Sequence, residues 1–283
     1  MQKSLKKVIP VDKEKFDRIL KNVGDMALKR RISYMVNSLD VREDDKILDC
    51  GCGEGFHLVV LNEIFEKAKF YGLDYDKKVL QKAREANKKD VKIVQGDIYK
   101  MPFKTGFFDK IVLSEVLEHL DDDKGALLEV KRILKKNGVI IITVPNHNYP
   151  FLWDPINRAL EETAGFHFNK GFFAGIWNMH LRLYDVEQIT WLAKKCGLKI
   201  EDRKVLTHYC LPFNHIILYS MRGLLERGVL SKKIMNSVDK FEFKNRKKGV
   251  MDFVYSLINF IDQSNNSIPI TKSSVAIALK VRK

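Results

Sequence analysis

From residue 46 onward, short apolar runs alternate with stretches whose apolar residues recur at helical spacing. The runs at Lys46–Cys50, Phe70–Leu73, Val91–Val94, Lys110–Leu113 and Val139–Val144 have the length and composition of strands. Between them, "HLVVLNEIFEKA", "KKVLQKAREANKK" and "GALLEVKRILKKN" each place apolar residues along one helical face. Strands and helices alternating at this interval predict right-handed crossovers and a parallel sheet. The helix from Gly125 is expected to end at Asn137-Gly138, a left-handed cap leading straight into "VIIITV".

After Val144 the alternation stops. Residues 145–184 are dense in aromatics, Pro, Gly, Asn and His, and are too long for an ordinary connection, which marks a functional excursion. "DVEQITWLAKKCG" then predicts a helix capped by Asp185 and stopped at Gly197, and "LKIEDRKVLTHY" a strand. Residues 211–268 form a second excursion, helical by pattern. Phe213, Ile216, Ile217, Met221, Leu224 and Leu225 make one apolar stripe, with Arg222 and Arg227 off it. Met251, Val254, Tyr255, Ile258 and Ile261 make another, and the basic run "KFEFKNRKKG" lies between them. The alternating close, "SSVAIALKVRK", reads as a last strand. The organisation expected is an N-terminal helical segment or lid over 1–45, a core over 46–210 with the excursion at 145–184, a basic helical insertion over 211–270, and a final core strand over 271–283.

Charge changes the picture only when placed along the chain. The formal charge is +14, yet residues 41–202 carry 25 Lys/Arg against 26 Asp/Glu, whereas residues 203–283 carry 15 against five. A basic C-terminal third is suited to nucleic acid, an anionic membrane surface or an acidic substrate. The most apolar windows fall short of the ~18–20 residues that span a bilayer, and the N-terminal stretch lacks the apolar core of a secretory signal. With four cysteines in 283 residues there is no disulfide framework, so a reducing, cytoplasmic compartment is expected. The apolar helical stripes beside the basic run are read as a peripheral contact at the inner face of a membrane; a packed helical cap or a homodimer interface is the other reading.

The chemistry concentrates in "ILDCGCGEGFH", residues 47–57. A strand ending in Asp49, then Gly51, Gly53 and Gly55, then a helix, is a nucleotide-loop arrangement, because glycines let the backbone turn sharply and approach a ligand. A carboxylate at Asp49 repels a diphosphate and suits a cationic ligand. The next strand ends at Asp74, about 20 residues on, where a carboxylate can accept both ribose hydroxyls. Asp97, after the third strand, can take a hydrogen bond from an adenine amino group. Cys50 and Cys52 have no second cysteine pair nearby, and a structural zinc site wants four ligands; both are read as small residues in a tight loop.

"ILDCGCGEG", "GLDYD", "QGDIYKMPF", "FFDKIVLSEVLEHL" and "LKKNGVIIITVPN" closely resemble, in order, the motifs of class I S-adenosylmethionine-dependent methyltransferases, over about residues 30–210. The resemblance implies a Rossmann-like α/β fold with a seven-stranded sheet of order 3-2-1-4-5-7-6, strand 7 antiparallel. It departs from the family in the long helical insertion between strands 6 and 7. It implies S-adenosylmethionine as cofactor, with Gly51, Cys52, Gly53 and Gly55 in the loop around the methionine part and Asp49 near its amino group. Asp74 would bind the ribose, Tyr75 would lie beside the adenine, Asp97 and the Ile98 backbone would hold the adenine, and Ser114 would line the site.

Methyl transfer from a sulfonium needs alignment above all, and a base only when the acceptor must lose a proton. His119, just after strand 4, is the first candidate base for an oxygen acceptor; His180 and Tyr184, four apart near a helix start, are the remaining pocket candidates. "EVLEH" also resembles the stretch of ubiquinone-biosynthesis O-methyltransferases that helps hold a divalent cation, which would involve Glu115, Glu118 and His119. No fourth ligand is identifiable and similar enzymes use no metal, so none is assigned. An aromatic excursion with a few polar points suits a small apolar acceptor, lipid-like or quinone-like, methylated on oxygen. RNA methylation and a cofactor-binding scaffold without turnover are the alternatives. "SEVLEHL" lacks the Asn/Asp-Pro-Pro motif of exocyclic-amine methylation, which makes nucleic acid the weaker partner.

Overall fold

The computed structural model describes residues 7–21, 23–87, 90–209, 239–241, 243, 251–266 and 273–283. Two helices, α1 (Lys13–Leu20) and α2 (Met26–Ser38), precede the alternating part. There follow β1 (Lys46–Cys50), α3 (Phe56–Ile64), β2 (Lys69–Asp74), α4 (Lys77–Ala86), β3 (Lys92–Gln95), β4 (Phe108–Ser114), α5 (Asp123–Ile133) and β5 (Leu134–Pro145). The chain continues through α6 (Pro155–Ala164), α7 (Val186–Lys195), β6 (Lys199–Leu206), α8 (Met251–Gln263) and β7 (Ala276–Arg282). The strands form one seven-stranded sheet of order β3-β2-β1-β4-β5-β7-β6, as the resemblance implies. The pairs among β1 to β5 are parallel, and β7 runs antiparallel to both β5 and β6.

Alternation along each strand seals both faces. Ile47, Val112, Val139 and Ile141 join α1, α2 and α3 in one apolar cluster, while their neighbours Leu48, Ile111, Ile140 and Ile142 join α5 and α7 in the other. Helix starts are set by local chemistry. Asp12, Asp25, Asp76, Asp122, Asp154 and Asp185 each accept a first-turn backbone N–H. Helix α3 instead begins on Gly55, with no side-chain cap.

One boundary differs from expectation. Helix α5 ends at Ile133, and Leu134 already pairs with Phe108 of β4. Asn137 does adopt a left-handed conformation (φ 63), but inside β5, where the register with β4 shifts between Phe108 and Lys110. The fully buried Leu134 draws the chain into the ladder before another helical turn can form, and Lys135 anchors it to Asp109 at 2.7 Å.

Beyond β6, the stripe at 213–225 and most of the basic run at 240–249 lie outside the described residues. Helix α8 forms at the expected second stripe. Ile258 and Ile261 pack with Met26 and Ala27 of α2 and with Trp153 and Trp177 of the excursion. Arg30 donates from Nε to Asp262 at 2.8 Å and from Nη1 to Asn266 at 2.7 Å, and the Lys29 ammonium lies 3.8 Å from Asp262. The opposite face turns Phe253, Leu257 and Phe260 outward. Among the described residues no helix is long and apolar enough to cross a membrane.

Asp262 is buried and serves two part-buried cations. Asp262→Ala is therefore expected to cost about 1–3 kcal/mol, and to expose α8 amides to hydrogen exchange well before those of the sheet. Unchanged exchange in α8 would show that its apolar contacts hold it alone.

Candidate active site

The carboxyl ends of β1, β2 and β4 bring the site together. Gly51 N–H and Cys52 N–H both donate to the Leu73 carbonyl, at 2.7 and 3.0 Å, so the glycine loop is tied to the end of β2. Gly51 has φ 77, and a Cβ there would stand 2.5 Å from Val116 Cγ2. The loop after β4 thus rests directly on the glycine loop, at a distance only glycine permits. Gly53 also has positive φ, and the space its Cβ would occupy is open. The Asn87 amide donates to the Gly55 carbonyl at 3.1 Å and braces the start of α3.

Asp74 shapes this loop as well as facing it. Its Oδ2 accepts the Gly53 N–H at 2.9 Å and its Oδ1 the Asp76 N–H at 3.0 Å. Each oxygen retains a lone pair for a further donor. Asp49 is 1% exposed; His57 Nδ1 lies 3.7 Å from its Oδ1, and its Oδ2 has no hydrogen-bond partner. Asp97 accepts the Tyr99 N–H at 2.9 Å, Ile98 packs against the core below it, and Tyr75 is 77% exposed. The Cys50 and Cys52 side chains are buried under the loop, and burial, with Asp49 and Asp74 nearby, pushes both thiols up.

Ser114 opens a hydrogen-bonded chain at the end of β4. Its hydroxyl pairs with Thr143 at 2.8 Å, Thr143 donates to Glu115 at 3.0 Å, and Arg31 of α2 meets the other Glu115 oxygen at 3.2 Å. Glu115 itself sits at φ 56. Glu118 is fully buried, and neither carboxylate oxygen has a hydrogen-bond partner. Burial, reinforced by the charge of Glu115, holds its carboxyl well above the usual range. His119 lies edge-on to His180, with ring centroids 4.7 Å apart. Their Nε2 atoms stand 3.9 and 4.0 Å from Oε1 of Glu118. His119 Nδ1 donates to the Met179 carbonyl at 3.0 Å, which leaves Nε2 with the lone pair of the neutral ring. Burial, with His119 adjacent, lowers the His180 imidazole to about 4, against the opposing effect of the Ile176 backbone.

Residues 118–119 and 180 meet because the Leu181 N–H donates to the Glu118 carbonyl at 2.9 Å, clamping the excursion onto the β4 loop. Tyr184 is placed apart. The segment from 178 to 185 is not helical, so the four-residue spacing does not pair it with His180. Tyr184 is buried in the core, and its hydroxyl donates to Asp123 at 2.7 Å, which ties the excursion to the start of α5. Two contributors went unnoticed in the sequence. His57 was visible inside the quoted loop; Arg31 carried no local signal, since only packing of α2 on the sheet brings it to Glu115.

The methyltransferase-domain family matches residues 42–208. The chain belongs to that family. Similar curated proteins include an uncharacterized methyltransferase of Schizosaccharomyces pombe, 34% identical over 110 residues, 35% of this chain and 40% of that protein. A demethylmenaquinone methyltransferase of Staphylococcus epidermidis is 27% identical, over 45% of this chain and 54% of its own length. A malonyl-acyl-carrier-protein O-methyltransferase of Legionella pneumophila is 30% identical, over 47% of this chain and 45% of its own. The chain therefore spans about half the length of these relatives or less. Among solved structures, an S-adenosylmethionine-dependent methyltransferase from Archaeoglobus fulgidus superposes with TM-score 0.53 at 17% identity, covering 94% of both chains. The cyclase SpnF superposes with TM-score 0.55 at 15% identity, covering 89% of this chain and 80% of its own.

The fold is the one found in the Archaeoglobus fulgidus S-adenosylmethionine-dependent methyltransferase, which makes S-adenosylmethionine the cofactor to set against the site. The residues present fit that cofactor: an unpartnered buried carboxylate oxygen on Asp49 suits a cationic amino group, the open side of Gly53 admits a ligand, and Asp74 can accept ribose hydroxyls. When bound, S-adenosylmethionine supplies a methyl group on a sulfonium.

Asp74→Ala removes both the loop bonds and the ribose acceptor, and should weaken calorimetric cofactor affinity by about 2–4 kcal/mol. Unchanged affinity would remove Asp74 from the cofactor set. Cys50 and Cys52 should resist iodoacetamide in the native protein and react once it is unfolded, as mass spectrometry of the two positions will read.

Proposed function

We propose that this methyltransferase transfers its methyl group to an oxygen of a small apolar acceptor, lipid-like or quinone-like. The cluster of Glu118, His119 and His180, formed where the aromatic excursion is clamped onto the loop after β4, carries the reading. In the excursion, Phe166, Phe168, Phe173 and Phe172 form a chain of ring contacts at 5.2, 6.0 and 5.2 Å, and all four are exposed. Such rings suit an apolar acceptor, and the outward Phe253, Leu257 and Phe260 of α8 suit a lipid-rich setting. The name of one relative, a demethylmenaquinone methyltransferase, supports a quinone-like acceptor, and that of another, a malonyl-acyl-carrier-protein O-methyltransferase, supports oxygen as the acceptor atom.

A hydroxyl acceptor gives up one proton as its oxygen bonds to the methyl carbon and the methyl–sulfur bond breaks, the electron pair staying on sulfur. The histidine cluster is the place where that proton is drawn off, because the Met179 carbonyl leaves a lone pair on His119 Nε2. The basic surplus of residues 203–283 is the feature that favours RNA instead.

Incubation of the protein with methyl-labelled S-adenosylmethionine and either a demethylated quinone or total RNA separates the two. Label in the organic phase is expected; label confined to RNA, or no transfer at all, overturns the reading. His119→Ala should lower kcat by about 10²–10⁴-fold with cofactor affinity unchanged, and full activity would remove the cluster from the reaction.

A further inference from the structure

We propose that Glu118, His119 and His180 form a binding site for a first-row divalent transition metal of the zinc class, with a coordination position left open toward the acceptor oxygen. One ligand atom from each residue lies within 4.8 Å of the other two. A point equidistant from such a set is about 2.8 Å or less from each atom, so modest side-chain rotations reach the Zn–N and Zn–O bonds of about 2.0–2.2 Å.

Three further observations point to an ion. Glu118 is fully buried with both oxygens unpartnered, a standing cost that a bound cation removes. The Met179 carbonyl fixes the His119 tautomer with Nε2 turned toward Glu118, the outer-shell arrangement that metal-ligating histidines use. Met179 adopts φ 61, and the adjoining Glu118–Leu181 backbone bond holds His180 against the β4 loop. His119 is 40% exposed on its side chain, which provides an entry path.

Two imidazoles and one carboxylate suit zinc or iron(II) better than magnesium, which prefers an all-oxygen shell. Three protein ligands are the complement of catalytic rather than structural sites. Glu115 is outside the set, because Thr143 and Arg31 occupy its two oxygens. The ligands are thus drawn from the β4 loop and the excursion, a different combination from Glu115, Glu118 and His119. The open position deepens the oxygen-acceptor reading above and rests on it: with the ion bound, the His119 Nε2 lone pair would be a metal ligand rather than the proton acceptor, and an oxygen at the open position would instead lose its proton to solvent more readily.

The test uses the full chain, stripped with a chelator and titrated with Zn(II) by calorimetry and with Co(II) by visible absorption. One equivalent of Zn(II) should bind with micromolar affinity or better, and Co(II) should give ligand-field bands. His180→Ala should weaken Zn(II) at least 100-fold, while Glu115→Gln changes it only a few-fold. S-adenosylmethionine affinity, measured on every variant, reports whether the site is still folded. Absence of stoichiometric Zn(II) binding overturns the proposal. So does Zn(II) binding that survives His180→Ala, or Mg(II) binding that depends on Glu115. Failure of the wild type to bind S-adenosylmethionine strikes the cofactor site instead, and leaves the metal titration readable.

Discussion

With both faces of the sheet covered by helices, a polar group that interrupts an apolar strand has one place to be useful, the carboxyl edge. Asp49, Asp74 and Ser114 close β1, β2 and β4 at that edge, or one residue short of it. Their positions follow from the parallel pairing, which sets Asp49 opposite Gly72 and Val112. The close approach of Val116 to Gly51 then joins two loops that the sheet has already brought side by side. Antiparallel β7 extends the sheet beyond β5 and brings β6 into it, and the Asn146 N–H bonds to Val275 where the excursion departs.

The site handles its carboxylates in three ways. Asp74 is held by backbone N–H groups and organises the loop. Glu115 is consumed by Thr143 and Arg31, and so links the N-terminal helices to the end of β4. Asp49 and Glu118 are buried with unpartnered oxygens. A folded protein keeps such groups where a ligand completes them, because burial without a partner is costly. The apolar clusters on either side of the sheet supply the stability that makes this local cost tolerable.

A shared fold does not decide chemistry. The cyclase SpnF superposes on this chain about as well as a methyltransferase does. The acceptor has to be argued from the β4 loop and the excursion, where the histidine pair and the exposed phenylalanines lie.

Local patterns sufficed where physics is local. Short apolar runs mark the strands, the spacing of glycines behind Asp49 marks the tight turn into α3, and Asp185 marks a helix start, since each depends on residues close in sequence. Asn137 shows the limit: its left-handed backbone was legible, but a strand ladder rather than a helix end uses it. The pairing of His180 with His119, the diversion of Tyr184 to Asp123, and the arrival of Arg31 at Glu115 are tertiary decisions. Each joins side chains some 60 residues apart or more, and no spacing rule connects them. They exist because one backbone bond, Leu181 to Glu118, and the packing of α2 on the sheet bring separate loops to the same edge.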